Sequence, residues 1–133
     1  MATTQDNTGV RRILVIDDDP FTRTLVGKCL KGFEVTAEHD GLSGLRAAQK
    51  SVPDLIVSDF MMPKMDGLRL MKLLRMDART RDIPVILLSA VAEEEYRQQA
   101  LQIGARALVS KSAMRQDLLP AVERIVGKPP ASA

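Results

Sequence analysis

Residues 11–20 read RRILVIDDDP, and the reading of this stretch decides the fold. Four apolar residues, Ile13 to Ile16, run straight into Asp17, Asp18 and Asp19. A continuous apolar run this short suits a strand buried on both faces, the environment of a parallel sheet. The carboxylates that follow repel one another. Two unit charges about 5 Å apart cost roughly 3 kcal/mol at an effective dielectric near 20. Something should compensate for that repulsion.

Working outward, the same kind of run recurs. Residues 54–58 (DLIVS), 84–89 (PVILLS) and 107–110 (ALVS) read as strands, and 33–38 (FEVTAE) alternates in the way of an edge strand. Pro84 stands at a strand start, where a missing N–H is tolerated. Helical patterns separate the runs. Phe21, Leu25 and Cys29 recur at i, i+4 and i+8, with Gly32 as a stop. Asp40 is placed to cap a helix over 41–50, and Asp66 one over 66–77 with Leu70, Leu73 and Leu74 inward. Tyr96, Ala100 and Ile103 mark a fourth helix, opened by Glu93, Glu94 and Glu95 at its positive end. Leu118, Val122 and Ile125 mark a fifth. Five strands alternating with five helices predict a doubly wound, flavodoxin-like α/β fold with a five-stranded parallel sheet in the order 2-1-3-4-5.

The totals are consistent with this. The chain has 133 residues, 45% hydrophobic and 27% charged, enough for one domain with a real core. A net charge of +2 gives no ground for direct nucleic-acid binding. The single cysteine, Cys29, is assigned to packing and fits a reducing compartment. No apolar run approaches a membrane span, and residues 1–10 lack the apolar stretch of a signal peptide, so the expected location is the cytoplasm. Residues 1–10 and 128–133 are expected to be a disordered leader and tail flanking a domain over 11–127.

In an open parallel sheet, ligands sit beyond the carboxyl ends of the strands. The first strand delivers Asp17 and Asp18 there, the third Asp59, the fourth Ser89 and the fifth Lys111. Three carboxylates call for a hard divalent cation, and Mg²⁺ suits a site with few protein ligands, some waters and a phosphoryl oxygen. Lysine supplies a point charge for phosphoryl oxygens, and a serine hydroxyl a hydrogen bond. One carboxylate can act as nucleophile and form an acyl phosphate.

With these residues in place, the chain resembles the receiver domain of bacterial two-component response regulators, of the chemotaxis-regulator type. The pieces that carry the resemblance are ILVIDDDP, PDLIVSDFMMPKMDG, RDIPVILLSA and GARALVSK, in that order and spacing. It implies that Asp59 accepts a phosphoryl group from a histidine kinase or a histidine phosphotransfer protein, and that the output is altered binding of a downstream protein. It further implies that Asp18 and Asp59 hold Mg²⁺ with the Met61 carbonyl, that Asp17 acts mostly through water, and that Ser89 and Lys111 bind the phosphoryl group. Pro63 and Gly67 would shape the loop after Asp59. Asp19 falls outside the ligand set, as a helix cap or surface charge. Such a chain catalyses only its own phosphorylation and dephosphorylation.

Two positions depart from the family pattern. Lys-Pro, often cis, is usual after the fifth strand, and here it is Lys111-Ser112. A cis bond before serine costs about 3 kcal/mol. The ring that swings inward on activation is replaced by Leu108. Met61 and Val91, which would overlook the approach of hydrolytic water, are both apolar, implying slow loss of the phosphoryl group. Arg106 and Ala107 lack the acidic half of a common dimer interface. Two rival readings remain. VIDDDPFT also contains the Asp-x-Asp of haloacid-dehalogenase-type phosphatases, for which Asp17 rather than Asp59 would be phosphorylated. A receiver-like interaction module without phosphorylation is the other.

Overall fold

The computed structural model describes residues 9–90 and 95–129. Its strands are β1 (Arg12–Ile16), β2 (Glu34–Glu38), β3 (Leu55–Asp59), β4 (Val85–Ser89) and β5 (Ala107–Ser110). Its helices are α1 (Pro20–Cys29), α2 (Gly41–Lys50), α3 (Gly67–Met76), α4 (Arg97–Ile103) and α5 (Met114–Val126). All strand pairs are parallel and the order is β2-β1-β3-β4-β5, as the run pattern predicts. Of the expected leader and tail, residues 1–8 and 130–133 lie outside the described residues, as do Glu93, Glu94 and Val91.

The period-two alternation of the central strands builds two cores. Ile13, Val15, Leu55, Val57, Ile86 and Leu88 face one way, against Val26 and Leu30 of the α1 segment and Leu118 and Val122 of α5. Leu14, Ile16, Ile56, Val85 and Leu87 face the other, against Ala48, Leu70, Met71, Leu74 and Ala100. With both faces covered, β3 and β4 are buried throughout. The edge strand β2 is exposed or half-buried along its length.

The caps are local. Asp19, Asp40 and Asp66 each accept a backbone N–H from the first turn of the following helix, at 2.9, 2.7 and 2.9 Å. Two helix faces differ from the spacing-based expectation. In α1 the inward line is Thr22, Val26 and Leu30, not Phe21, Leu25 and Cys29, and Phe21 is 69% exposed. Leu25 and Cys29 pack along the border of the same core as Val26 and Leu30. The two lines sit about 100° apart on the helix, and only docking against the sheet and α5 chooses between them. In α3 Met71 is buried, whereas Leu73 is half-exposed and belongs to neither core.

Tyr96 packs on Phe60 with ring centroids 5.6 Å apart. His39 is exposed in the β2–α2 turn, beside Asp40 at 3.3 Å. No helix among the described residues is long and apolar enough to cross a membrane.

Candidate functional site

The topology brings the strand ends to one crevice. Asp59 closes β3 and pairs with Leu88, so Ser89 lies one residue further along the neighbouring strand. Ser89 in turn pairs with Ser110, the residue before Lys111. Asp17 follows β1 directly and donates its backbone N–H to Glu38 O at 3.1 Å. The carboxylates of Asp17, Asp18 and Asp59 each present an oxygen within 4.8 Å of the others. Asp17, Asp59 and Ser89 are buried, and Asp18 is exposed at the mouth.

Lys111 supplies part of the compensation for the clustered carboxylates. Its Nζ is 2.9 Å from Asp59 Oδ1 and 3.6 Å from Asp17 Oδ2. One ammonium does not neutralise three carboxylates. Burial pushes the Asp17 carboxyl up to about 6, helped by the Asp59 charge and opposed by the Asp19 N–H and Lys111. Burial also raises Asp59, against the Lys111 interaction and the backbone N–H of Met61, which hydrogen-bonds to its carboxylate.

These residues fit a hard cation. Asp17 Oδ1 accepts the Asp19 N–H at 2.8 Å, but the buried Oδ2 has no hydrogen-bond partner. Such an orphaned buried oxygen is costly unless something positive reaches it. An all-oxygen donor set of few protein ligands, open through exposed Asp18, matches the preference of Mg²⁺ for retaining waters.

The loops that hold these groups are tightly specified. After β3 the chain turns through Pro63, Lys64 and Met65, with Met65 N–H donating to Pro63 O at 2.7 Å and Lys64 at φ 70°. Gly67 then donates to Phe60 O at 2.8 Å. A Cβ on Gly67 would stand 2.8 Å from the Asp59 carbonyl oxygen, so only glycine fits this close approach. The expectation that Gly67 shapes this loop therefore has a steric cause. Met61 is 54% exposed beside the acceptor strand.

The departures also take definite forms. The described residues contain no cis peptide, so the Lys111–Ser112 bond is trans. Residues Lys111–Ala113 form a single 3₁₀ turn leading into α5, with Ser110 Oγ and Ser112 Oγ 2.9 Å apart. Leu108, at the position of the family's swinging ring, is already in the core with Leu87 and Ala100. Sequence reasoning missed Arg23, whose guanidinium donates to the Asp17 carbonyl at 2.7 Å and ties α1 to the acidic turn. Its position six residues after Asp17, within the first turns of a capped helix, was the available signal.

A sheet of this order, with an acidic crevice and a lysine at its carboxyl edge, is the arrangement of a phosphoryl-accepting domain. Residues 13–123 match the family model described as response regulator receiver domain, and the chain belongs to that family. Receiver domains are the phosphoryl acceptors of two-component systems and interact with histidine kinases.

Among its relatives is the DNA-binding dual master transcriptional regulator RpaA of Synechocystis, 38% identical over 117 residues. That alignment covers 86% of this chain and 48% of the relative. The chain thus spans about half the length of the transcriptional regulators it matches. Chemotaxis protein CheY4 of Vibrio cholerae superposes with a TM-score of 0.80 at 30% identity, covering 87% of this chain and 98% of CheY4. The receiver domain of a Pseudomonas aeruginosa sensor histidine kinase, solved with a magnesium ion in its active-site cleft, superposes with a TM-score of 0.79 at 29% identity. That match covers 90% of this chain and 99% of the other.

Proposed function

We propose that Asp59 is the phosphoacceptor of a Mg²⁺-dependent receiver, phosphorylated by a histidine kinase or a histidine phosphotransfer protein. The observation that carries this reading is the Lys111–Asp59 ion pair at 2.9 Å inside a cluster of three carboxylates, one with a buried oxygen that lacks a hydrogen bond. An Asp59 carboxylate oxygen attacks phosphorus as the P–N bond of the donor's phosphoimidazole breaks, and the leaving imidazole takes a proton. Lys111 shifts its charge from the carboxylate to the incoming phosphoryl oxygens. The Ser89 hydroxyl donates to another of those oxygens. Asp17, Asp18, Asp59 and the Met61 carbonyl are the groups proposed to hold Mg²⁺, which when bound neutralises charge on the transferring group. Burial of Asp59 keeps bulk water from one side of the acyl phosphate. The chain acts catalytically only on its own phosphorylation state, and its output is a change in which protein it binds. An expected cytoplasmic location accords with such a kinase partner.

The test is incubation with Mg²⁺ and acetyl phosphate followed by intact-mass measurement. One phosphoryl group should be gained, and lost in Asp59→Asn. Phosphorylation of Asp59→Asn at the wild-type rate would refute the assignment, and phosphate mapped to Asp17 would favour the phosphatase alternative.

A further inference from the structure

The inward face of α3 is accounted for by Gly67, Leu70, Met71 and Leu74. Its outward face is not the polar surface expected of a solvated helix. Leu73 is half-exposed and belongs to neither core, Met76 is 80% exposed, and Leu68, half-exposed, packs on the rim of the core. With Arg69, Lys72 and Gln99 of α4 they line an open groove of about 470 Å³. The apolar residues recur over slightly more than two helical turns, with the two cations set between them.

The lining of this groove sets two cations against one carboxylate. Among the described residues, neither Arg69 nor Lys72 has a side-chain hydrogen bond or ion pair. The acidic residue at the groove's end, Asp66, has its carboxylate committed to the Arg69 backbone N–H at 2.9 Å. An apolar floor with an unpaired cationic rim complements a helix carrying apolar anchors at i, i+4 and i+7 flanked by carboxylates. The groove is also mechanically tied to the acceptor strand, since α3 begins at Gly67, fastened to Phe60 O and pressed against Asp59 O.

We propose that the α3–α4 groove docks an acidic amphipathic helix of a partner protein. The proposal goes beyond the phosphoryl-transfer reading and does not depend on it, because the groove exists in the unphosphorylated chain.

The experiment uses the full, unphosphorylated chain labelled with ¹⁵N. The probe is a synthetic helical peptide of about 15 residues with Leu at i, i+4 and i+7 and Glu on both flanks. A second peptide replaces every Glu with Lys. The Glu peptide should shift amides along α3 and at Gln99, and the Lys peptide should not. The double variant Arg69→Glu, Lys72→Glu should weaken the Glu peptide by about tenfold or more and gain affinity for the Lys peptide. Both substitutions are on exposed helical positions, and an unchanged urea midpoint confirms that the fold is intact. Met76→Ser should weaken binding as well. Equal affinity of the double variant for the Glu peptide overturns the proposal. So does the absence of shifts, or their confinement to the separate α1–α5 groove of Phe21, Lys28 and Arg115. Concentration-dependent shifts on α3 without peptide, abolished by Met76→Ser, would overturn it in favour of a second copy of this chain. Acetyl phosphate labelling of the double variant at the wild-type rate separates failure of the groove from failure of the Asp59 assignment.

Discussion

Replacing Asp17 with Asn should stabilise the metal-free protein while removing its response to Mg²⁺. The side chain is fully buried, and its carboxyl rises from 3.8 to about 6 on folding. That rise corresponds to about 3 kcal/mol lost at neutral pH, at roughly 1.4 kcal/mol per unit. The raised value means that the folded state keeps a proton which the unfolded chain has released. Stability therefore falls as pH climbs from about 4 to about 6, and the penalty is complete above that window. Asparagine still accepts the Asp19 N–H through Oδ1, which in the wild type is a 2.8 Å bond. Its amide nitrogen would face Lys111 Nζ, now 3.6 Å from Oδ2, at a cost of about 1 kcal/mol. The net gain at pH 7.5 without metal is then about 2 kcal/mol, or roughly 6–10 °C in Tm for a chain of this size. Urea unfolding from pH 4 to 8, with and without Mg²⁺, measures it. The two stability curves should cross between about pH 4 and 5, with the wild type slightly the more stable below the crossing, and only the wild type should gain substantially from Mg²⁺ through binding to the folded state. A variant less stable than wild type at pH 7.5, or one that keeps the full pH slope, would refute the picture of an under-neutralised buried carboxylate.

Gly67→Ala should destabilise by about 2 kcal/mol in urea, because the new Cβ would meet Asp59 O at 2.8 Å and Leu87 Cδ2 at 3.0 Å. It should also slow acetyl phosphate labelling, since relief of the clash must move the acceptor strand. Arg75→Met should cost about 2–3 kcal/mol in the same assay. The Arg75 guanidinium donates to Arg81 O and Ile83 O at 3.0 Å and to Gly104 O at 3.4 Å, tying the α3–β4 connection to the α4–β5 connection, and the substitution leaves those carbonyls without it. Met61→Asn should shorten the phosphoprotein half-life several-fold, up to about tenfold, because an amide beside the acceptor can orient water where an exposed thioether cannot. Following intact mass after donor removal checks this, and an unchanged half-life would show that Met61 does not set it.

Much of the molecule was legible in one dimension because its signals are local. Short apolar runs need burial on both faces, which only a covered parallel sheet provides, and Asp19, Asp40 and Asp66 cap helices within their own first turns. The edge position of β2 follows from its alternation. The strand-end rule then placed Asp17, Asp18, Asp59, Ser89 and Lys111 at one crevice without any coordinates. What the sequence could not supply depends on how distant surfaces meet. Two adjacent lines of α1 carry comparable hydrophobicity, and only contact with α5 and the sheet buries Val26 rather than Phe21. Leu73 has the helical spacing of a core residue, yet α3 is rotated so that Met71 takes the interior and Leu73 faces the groove. Arg23 reads as an ordinary helix cation until the fold sets it against the Asp17 carbonyl. The charge state of the crevice is likewise tertiary. Three aspartates announce repulsion in the sequence, but the degree of desolvation, and the reach of a single lysine from β5 to two of them, exist only once the strands lie side by side.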